Sequence, residues 1–446
     1  MTAVREPETP VPTAVGTEMA TQEVVVPQWR PSPLLRRLSA TAVLALAAAV
    51  ALGRAELLVV AAPMLWWLAA ASRTRPHTLT ARTRLDTDRC TEGDDIVLTV
   101  SLHSGTEVDL VSATLALPAG ATVLDRPSLP LVAVTAHELR WRLRPGRWGR
   151  WSLGPPTVRI HATGGLLQAS VSCPAADVAV LPLPAAVGTG PLPALLPRRT
   201  GDHPAGAPGE GSEFEGLRPY QPGDRPRQVN WAASARRRTL FVTTRQDERS
   251  FDLILLVDAF LRVGPVGNDS LDLSVRGATG LARAHLRRGE RVGVVAVGGL
   301  LRGLAPGVGG HQLQRIADAV LDVRLDDSYV DPDIARLPRT VLPPGALTVL
   351  FSPLLDERAR LTALDLRRRG HAVVIIDVLC DEPRPDRRDR VGRLSLRLWR
   401  LDREADRFEL GRWGVPVLPW DGTAPLDAVL TPLRRRSVEG RWRHGT

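Results

Sequence analysis

Residues 211–236 have the sequence GSEFEGLRPYQPGDRPRQVNWAASAR, the most unusual stretch of this chain. Pro222 and Gly223 suit the two central positions of a type II turn. Asp224 is placed to cap a helix over about residues 226–237. Turn and cap chemistry accounts for the proline, the glycine and the aspartate, but it leaves the remaining residues of the stretch unexplained.

Downstream of this stretch, apolar segments alternate with amphipathic ones. The strand candidates are residues 251–258, 291–297, 347–351, 372–378 and 415–419, and the helix candidates are residues 270–288, 311–323, 356–369, 393–410 and 425–436. Nearly continuous apolar strands between amphipathic helices are typical of a parallel sheet that helices cover on both faces. Residues 251–436 are therefore predicted to form a doubly wound α/β domain.

Upstream, residues 79–185 contain six or seven short runs in which apolar and polar residues alternate. This pattern predicts an antiparallel β-sandwich. Its tryptophans are expected to pack in the core or at an edge of the sandwich: Trp141, Trp148 and Trp151. The proline- and glycine-rich residues 186–211 are predicted to be a linker, and residues 212–250 form a segment of their own before the α/β domain.

Two apolar runs, residues 38–52 and 57–71, predict a transmembrane helical hairpin over residues 34–72. Each run is short for a bilayer of about 30 Å, but flanking leucines and snorkelling arginines lengthen the first span. The alternative is a buried amphipathic hairpin in a soluble domain. Arginines lie mainly outside the hairpin, so the positive-inside rule places both flanks, and the domains after residue 72, in the cytoplasm. Residues 1–33 are predicted to be disordered.

The composition excludes several classes of protein. The chain has a net charge of +10 but contains no lysine, so it cannot use the lysine of a phosphate-binding loop or form a Schiff base. Its arginines are scattered and aromatic residues are only 4%, which argues against nucleic-acid binding. Three dispersed cysteines lack the spacing of a zinc site: Cys90, Cys173 and Cys380.

The stretch at residues 211–236 resembles the signature of the domain of unknown function 58 family, which runs in outline Glu-Phe, Leu-Arg-x-Tyr, x-Pro-Gly-Asp, Arg, Asn-Trp, Ser-Ala-Arg. Residues 144–155, RPGRWGRWSLGP, resemble an upstream strand of the same family. The resemblance implies a von Willebrand factor type A-like domain beside a membrane hairpin and a β-sandwich. It also implies a MoxR-type AAA+ ATPase as a partner, since such ATPases are often encoded beside members of the family.

Domains of this type hold Mg²⁺ on an Asp-x-Ser-x-Ser loop after the first strand, together with a threonine and an aspartate from later loops. The corresponding loop here keeps Asp258 but has Phe260 and Arg262 in place of the two serines. Ser352 ends a later strand without an aspartate directly after it. Because oxygen ligands are lost and a cation is added, we expect a degenerate site without metal, and no cofactor.

The sequence thus favours a membrane-anchored, non-enzymatic interaction or scaffold protein. The alternatives are a hydrolase-type enzyme using Asp258, Ser352 or a histidine, for which no catalytic motif is found, and an envelope-facing binding protein if the hairpin is misassigned. The candidate interaction residues, which an internal ion-pair and aromatic network would equally explain, are Glu213, Phe214, Arg218, Tyr220, Pro222, Gly223, Asp224, Arg227, Trp231 and Arg236.

Overall fold

The computed structural model describes residues 19–71, 78–128, 134–162, 164–188, 213–220, 229–246, 252–298, 301–325, 330–379, 381–386 and 389–431. The chain divides into two compact units. The first comprises Met1–Pro184, Arg262–Arg276 and Ala317–Arg324, and the second comprises Ala185–Leu261, Gly277–Ile316 and Leu325–Thr446. The linker predicted at residues 186–211 lies almost wholly outside the described residues.

The first unit begins with strand β1 (Met19–Val25) and the two-residue strand β2 (Arg30–Pro31). The prediction of a disordered segment through residue 33 is therefore wrong for these residues. Strand β1 pairs antiparallel with residues 79–85. The residues of this strand, MATQEVV, do not alternate regularly between apolar and polar, so the strand was not predicted.

Two helices follow, α1 (Pro33–Leu52) and α2 (Glu56–Ala71). Ser32 caps α1 by accepting a hydrogen bond from the Leu35 amide at 3.2 Å, and Gly53 ends it with a φ of 64°. The Thr41 hydroxyl of α1 lies 3.3 Å from the Met64 sulfur of α2. The predicted helical hairpin is therefore present.

By length and composition, α1 is the one helix among the described residues that meets the requirement for a membrane span. The apolar part of α2, Glu56–Trp67, is shorter than a usual span. The structure thus provides one candidate span where the sequence predicted two.

The remaining strands of the first unit form two sheets with β1 and β2. They are β3 (Leu79–Leu85), β4 (Arg89–Thr91), β5 (Ile96–Thr114), β6 (Ala121–Asp125), β7 (Val134–Pro145), β8 (Gly149–Leu153), β9 (Thr157–Ala162), β10 (Leu167–Ser172) and β11 (Ala176–Leu181). The larger sheet has the order β1-β3-β5-β9-β10-β2, with β7 also pairing with β5 and β6 with β7. The smaller sheet has the order β4-β11-β8.

One hydrophobic core contains residues from both sheets, among them Ile96 and Leu139 from the larger and Leu153 and Val180 from the smaller. Alternate residues of strand β7 are buried, because successive side chains of a strand point to opposite faces. The tryptophans at positions 141, 148 and 151 are buried, as predicted. The sheets are mainly antiparallel, but β4 and β11 pair in parallel.

The second unit begins with an antiparallel pair of strands around a short helix: β12 (Glu213–Pro219), α3 (Trp231–Arg237) and β13 (Phe241–Gln246). The helix begins at Trp231, with Asn230 as its N-cap. The predicted helix start near residue 226 and its capping by Asp224 fall at residues 221–228, outside the described residues.

A six-stranded sheet forms the main part of the second unit. Its strands are β14 (Asp252–Asp258), β15 (Arg291–Val297), β16 (Arg302–Gly307), β17 (Leu347–Ser352), β18 (Ala372–Asp377) and β19 (Val417–Pro419). The strand order is β16-β15-β14-β17-β18-β19, and every pairing is parallel except that of β16 with β15. Strand β16, with the sequence RGLAPG, was missed because its glycines and proline are unfavourable in strands.

Helices separate the parallel strands, as the sequence predicted. They are α4 (Ser270–Leu286), α5 (Gly309–Leu321), a 3-10 turn (Ile334–Arg336), α6 (Glu357–Arg368) and α7 (Arg390–Arg412), and residues 426–431 are also helical. Every residue of β17 is buried, which explains why the parallel strands have continuous apolar sequences. These pairings bring the last residues of β14, β17 and β18 to one edge of the sheet.

Candidate functional site

The carboxyl edge of the six-stranded sheet collects three buried polar residues: Asp258, Ser352 and Asp377 end strands β14, β17 and β18. Ser352 is the register partner of Asp377. Carboxyl ends of parallel strands meet at one edge, where open α/β sheets commonly bind ligands. This edge is therefore where the chemistry of the domain has to be sought.

Asp258 uses both of its carboxylate oxygens within the protein. Its Oδ2 accepts a hydrogen bond from the Ser352 hydroxyl at 2.5 Å, and its Oδ1 accepts one from the Phe260 amide at 2.9 Å. Ser352 in turn accepts a hydrogen bond from the Leu354 amide at 2.9 Å. Burial raises the pKa of Asp258 to about 6, although both hydrogen bonds act to lower it.

A cation–aromatic pair lies beside this carboxylate. The Arg358 guanidinium stands 4.3 Å from the centre of the buried Phe260 ring and is paired with Asp356 at 2.7 Å. Such stacking is favourable because the face of an aromatic ring is electron-rich. Hydrogen bonds from Arg358 hold the pKa of Asp356 below its ordinary value.

The structure corrects one detail of the predicted metal loop. The cation near Asp258 is that of Arg358, whereas Arg262 is directed to Asp269, with its Nε 3.5 Å from Oδ2. Arg358 was missed because it lies about one hundred residues further along the chain, in the first turn of α6.

Asp377 is neutralised by arginines from α7. Arg403 lies 2.6 Å from each carboxylate oxygen, and Arg407 lies 2.6 Å from Oδ2. Arg403 is itself buried and also donates to the Leu354 carbonyl at 3.2 Å. A buried charge of this kind is tolerated only when it is paired and hydrogen-bonded.

This edge does not fit a divalent ion. Asp258 and Asp377 are committed to internal donors, and the guanidinium groups of Arg358 and Arg403 lie at this edge, where they oppose a divalent cation. Across the residues that the structure describes, no group of three or more histidine, cysteine, aspartate or glutamate side chains is arranged to hold a metal. Ser352 and Asp258 are both buried.

The signature segment is only partly described. Glu213, Phe214 and Arg218 lie on β12, and the half-buried Tyr220 donates its amide to the Leu240 carbonyl at 2.8 Å. Pro222, Gly223, Asp224 and Arg227 lie outside the described residues, so their predicted roles stay predictions.

Helix α3 shows which of its signature residues are structural. Trp231 is 68% exposed and Arg236 is exposed, so neither is part of a buried aromatic and ion-pair network. Ser234, which the candidate residues omitted, is buried. It accepts a hydrogen bond from the Phe241 amide at 2.8 Å and donates to the Asn230 carbonyl at 2.7 Å, which ties α3 to β13.

The first unit contains a second polar cluster that sequence reasoning did not find. Glu92 forms a two-point ion pair with Arg276, at 2.8 and 2.9 Å, and accepts hydrogen bonds from the Trp148 and Leu183 amides. Arg147 contacts Asp272 at 2.9 Å and Asp269 at 3.3 Å, and burial raises the pKa of Asp269. The tract RPGRWGRW at residues 144–151 was the available signal, because Arg147 and Trp148 lie in it.

The oppositely charged side chains of this cluster have a structural role. Every charged side chain in it has an opposite charge as its neighbour, and Asp269 and Asp272 bond each other's backbone amides at the start of α4. The cluster explains why Arg262–Arg276 belongs to the first unit although its sequence lies within the α/β region.

Residues 216–398 match the family described as Protein of unknown function DUF58. The match runs from β12 into α7 and so includes the signature segment and the strands that end at Asp258, Ser352 and Asp377. The resemblance noted in the sequence is thus supported over this part of the chain.

Three uncharacterized mycobacterial proteins are similar to the chain, one from Mycobacterium bovis and two from Mycobacterium tuberculosis strains. Each is 30% identical over 181 residues, which are 40% of this chain and 51% of the relative. The chain therefore spans about half the length of the curated relatives it matches.

Proposed function

We propose that the chain is a membrane-tethered, non-enzymatic interaction protein that docks a MoxR-type AAA+ ATPase through the carboxyl edge of its six-stranded sheet. One observation carries the proposal: the polar side chains at that edge are occupied by each other rather than directed to solvent. Because its charged side chains are paired with each other, this edge offers a partner a complementary surface and apolar contacts rather than a catalytic group.

The strand topology supports a von Willebrand factor type A-like domain. Numbered along the chain from β14, the six strands have the order 3-2-1-4-5-6, which is the order of a doubly wound α/β sheet. The two mainly antiparallel sheets with a shared core support the β-sandwich in the same way. The family match at residues 216–398 connects these domains with the resemblance that suggested the ATPase.

The membrane tether rests on α1, with α2 as a second and shorter span. Many of its apolar side chains are exposed, including Val43, Leu44 and Val50, which is unfavourable in water but suits lipid. Arginines at both outer flanks favour a cytoplasmic location for the domains that follow. Single cysteines placed at residues 30 and 75 in intact cells should resist an impermeant thiol reagent, and labelling of both would reverse this orientation.

Two exposed side chains mark the docking edge. Val330, 61% exposed, accepts a hydrogen bond through its carbonyl from Arg358 at 3.3 Å, and the exposed Leu261 directly follows Phe260. Apolar side chains in this setting are what a partner surface would cover.

The test is co-expression of the full chain with a MoxR-type AAA+ ATPase of the same cell, followed by capture of the ATPase. Val330→Asp should reduce capture at least about ten-fold, because a charge in a desolvated contact is costly. Val308→Asp is the matched control, since Val308 is 56% exposed and follows β16, which ends at the opposite edge of the sheet.

Both variants should keep the melting temperature of the unmodified chain, because both side chains are exposed. Equal capture by the two variants, or no capture by the unmodified chain, would contradict the proposed docking edge. Turnover of a hydrolase substrate that is lost in Ser352→Ala would instead favour the enzyme alternative.

A further inference from the structure

Helix α7 exposes an apolar stripe along its whole length. Six positions spaced alternately by three and four residues are apolar and exposed: Val391, Leu394, Leu398, Leu401, Ala405 and Phe408. This spacing is that of the a and d positions of a coiled coil, which lie on one face of a helix. Water-soluble surfaces rarely carry an apolar stripe of this length without a partner.

The opposite face of α7 contacts the rest of the second unit. Leu410 and Arg403 are buried there, and at the side of the helix Arg360 of α6 bonds Glu409 at 2.6 Å. The helix is therefore held by its inner face, and the stripe is left as a surface that the fold itself does not need.

The stripe is complementary to itself when a second copy runs antiparallel. A twofold axis between Leu398 and Leu401 places Leu398 opposite Leu401 of the second copy. The same symmetry pairs Leu394 with Ala405 and Val391 with Phe408, so larger side chains face smaller ones in the outer layers. Homodimers commonly form through such twofold, self-complementary contacts.

Charges beside the stripe fit the same antiparallel arrangement. Arg397 and Glu404 flank the stripe on one side, and neither has an ion-pair partner among the described residues. In the antiparallel pair each Arg397 faces Glu404 of the other copy, which gives two attractive contacts. A parallel pair would lose this contact and instead place Glu404 beside Glu409 of the other copy, which Arg360 already pairs.

We infer that the chain forms a homodimer in which the two α7 helices pack antiparallel through this stripe. The dimer does not depend on the proposed ATPase partner, because the stripe lies on α7 and not on the strand-end residues Leu261 and Val330.

The first experiment measures the protein mass of the full chain in detergent micelles by light scattering. The unmodified chain should have the mass of two copies, and Leu398→Asp should dissociate at least about 100-fold more readily, because each copy would bury an unpaired carboxylate. The matched control is Leu361→Asp, which changes an exposed leucine of α6. It should remain dimeric. Because both leucines are exposed, at 56% and 46%, both variants should fold normally by circular dichroism.

The second experiment uses charge reversal to test whether the two α7 helices run antiparallel. Glu404→Arg should weaken the antiparallel dimer about five-fold, because two arginine pairs would face each other, and adding Arg397→Glu should restore it. In a parallel dimer Glu404→Arg would not weaken association, because position 404 would then face Glu409 rather than Arg397 of the other copy.

For the crosslinking test, two variants that both carry Cys380→Ser are mixed, one with a cysteine at position 397 and the other with a cysteine at position 404. A crosslink should form between these two cysteines across the dimer. A dimer without this crosslink, or one that Leu398→Asp leaves intact, would overturn the inference. A monomeric full chain would overturn it as well, and a polarity-sensitive label at position 398 that then reports lipid in nanodiscs would identify the bilayer as the occupant of the stripe.

Discussion

Asp258 occupies the position of the first metal ligand expected from the family resemblance, yet its surroundings favour a neutral acid. Burial disfavours its charged form, and among the described residues the Ser352 hydroxyl and one amide donate to it directly. A pKa raised to about 6 means that the folded protein binds this proton more tightly than the unfolded chain does. The stability that this residue contributes is therefore present below about pH 4 and is lost as the pH rises through 6.

Asp258→Asn should remove this pH dependence. The amide has the shape of the protonated acid, and it can still accept from the Phe260 amide while donating to Ser352. Relative to the unmodified chain, the free energy of unfolding of the variant should increase by up to about 3 kcal/mol as the pH rises from 4 to 7.5. This follows from a folded pKa near 6 and an ordinary value of 3.8. Thermal unfolding of the full chain across this pH range measures the difference.

Asp421→Asn is the control for this measurement. Asp421 is exposed, and hydrogen bonds from Thr423 lower its pKa, so its stabilising effect is lost only as the pH falls below its ordinary range. The Asp421→Asn variant should show no gain in stability relative to the unmodified chain between pH 5 and 7.5. A constant difference between Asp258→Asn and the unmodified chain would mean that Asp258 is charged throughout.

At the scale of the element, helix α3 separates a buried signature residue from exposed ones. Ser234 bonds both the helix start and β13, whereas Trp231 points to solvent. Ser234→Ala should cost about 1–3 kcal/mol, because the Phe241 amide would lose its acceptor in a buried place. Trp231→Ala should cost less than about 1 kcal/mol, since little area is buried there.

Thermal melts of the two variants give the comparison, and Arg236→Ala serves as an exposed control on the same helix. Equal losses of stability for Trp231→Ala and Ser234→Ala would show that the indole is covered in the protein, as the interpretation of a buried network required.

The same helix shows what a sequence can and cannot supply. Strands β14, β15, β17 and β18 were predicted nearly to the residue, because burial on both faces requires a continuous apolar run. Strand β1 and edge strand β16 lack such a run and were missed. Edge strands pair on one side only, so their sequences are less constrained.

The candidate site was predictable only in part for a related reason. Asp258 and Phe260 follow an apolar strand, so their place at the carboxyl edge follows from the pattern of strands. The partners that determine their chemistry are distant in sequence: Ser352 lies 94 positions from Asp258, and Arg403 reaches Asp377 from α7. Local patterns carry no information about such pairs, because only the tertiary fold brings them together.

At the scale of the whole molecule, the two units do not correspond to two halves of the sequence. The first unit includes Arg262–Arg276 and Ala317–Arg324, which the sequence assigned to the α/β region. The ion pair of Glu92 with Arg276 spans 184 positions, and that of Arg147 with Asp272 spans 125. Removing one partner of such a buried pair would leave an uncompensated charge, so the first unit depends on the segment Arg262–Arg276.

The helical hairpin, in contrast, should be dispensable for folding. Among the described residues, the core shared by the two sheets of the first unit includes none from α1 or α2. Residues on both sides of the hairpin are held by the strands of the first unit. Before it, the Ser32 amide donates to the Leu166 carbonyl at 3.0 Å, and after it, Leu79 of β3 pairs with Ser104 of β5. The hairpin is thus an addition to a core that is complete without it.

We therefore expect the chain to become soluble without detergent when residues 34–72 are replaced by a short glycine-serine linker. The altered chain should unfold cooperatively and keep its strand and helix content by circular dichroism, because both hydrophobic cores remain. The unmodified chain should stay with the membrane fraction through a carbonate wash, since exposed apolar side chains on α1 and α2 are stable only in lipid. Irreversible aggregation of the altered chain would show that the hairpin packs as part of the fold, and release of the unmodified chain by carbonate would show that α1 does not span the bilayer.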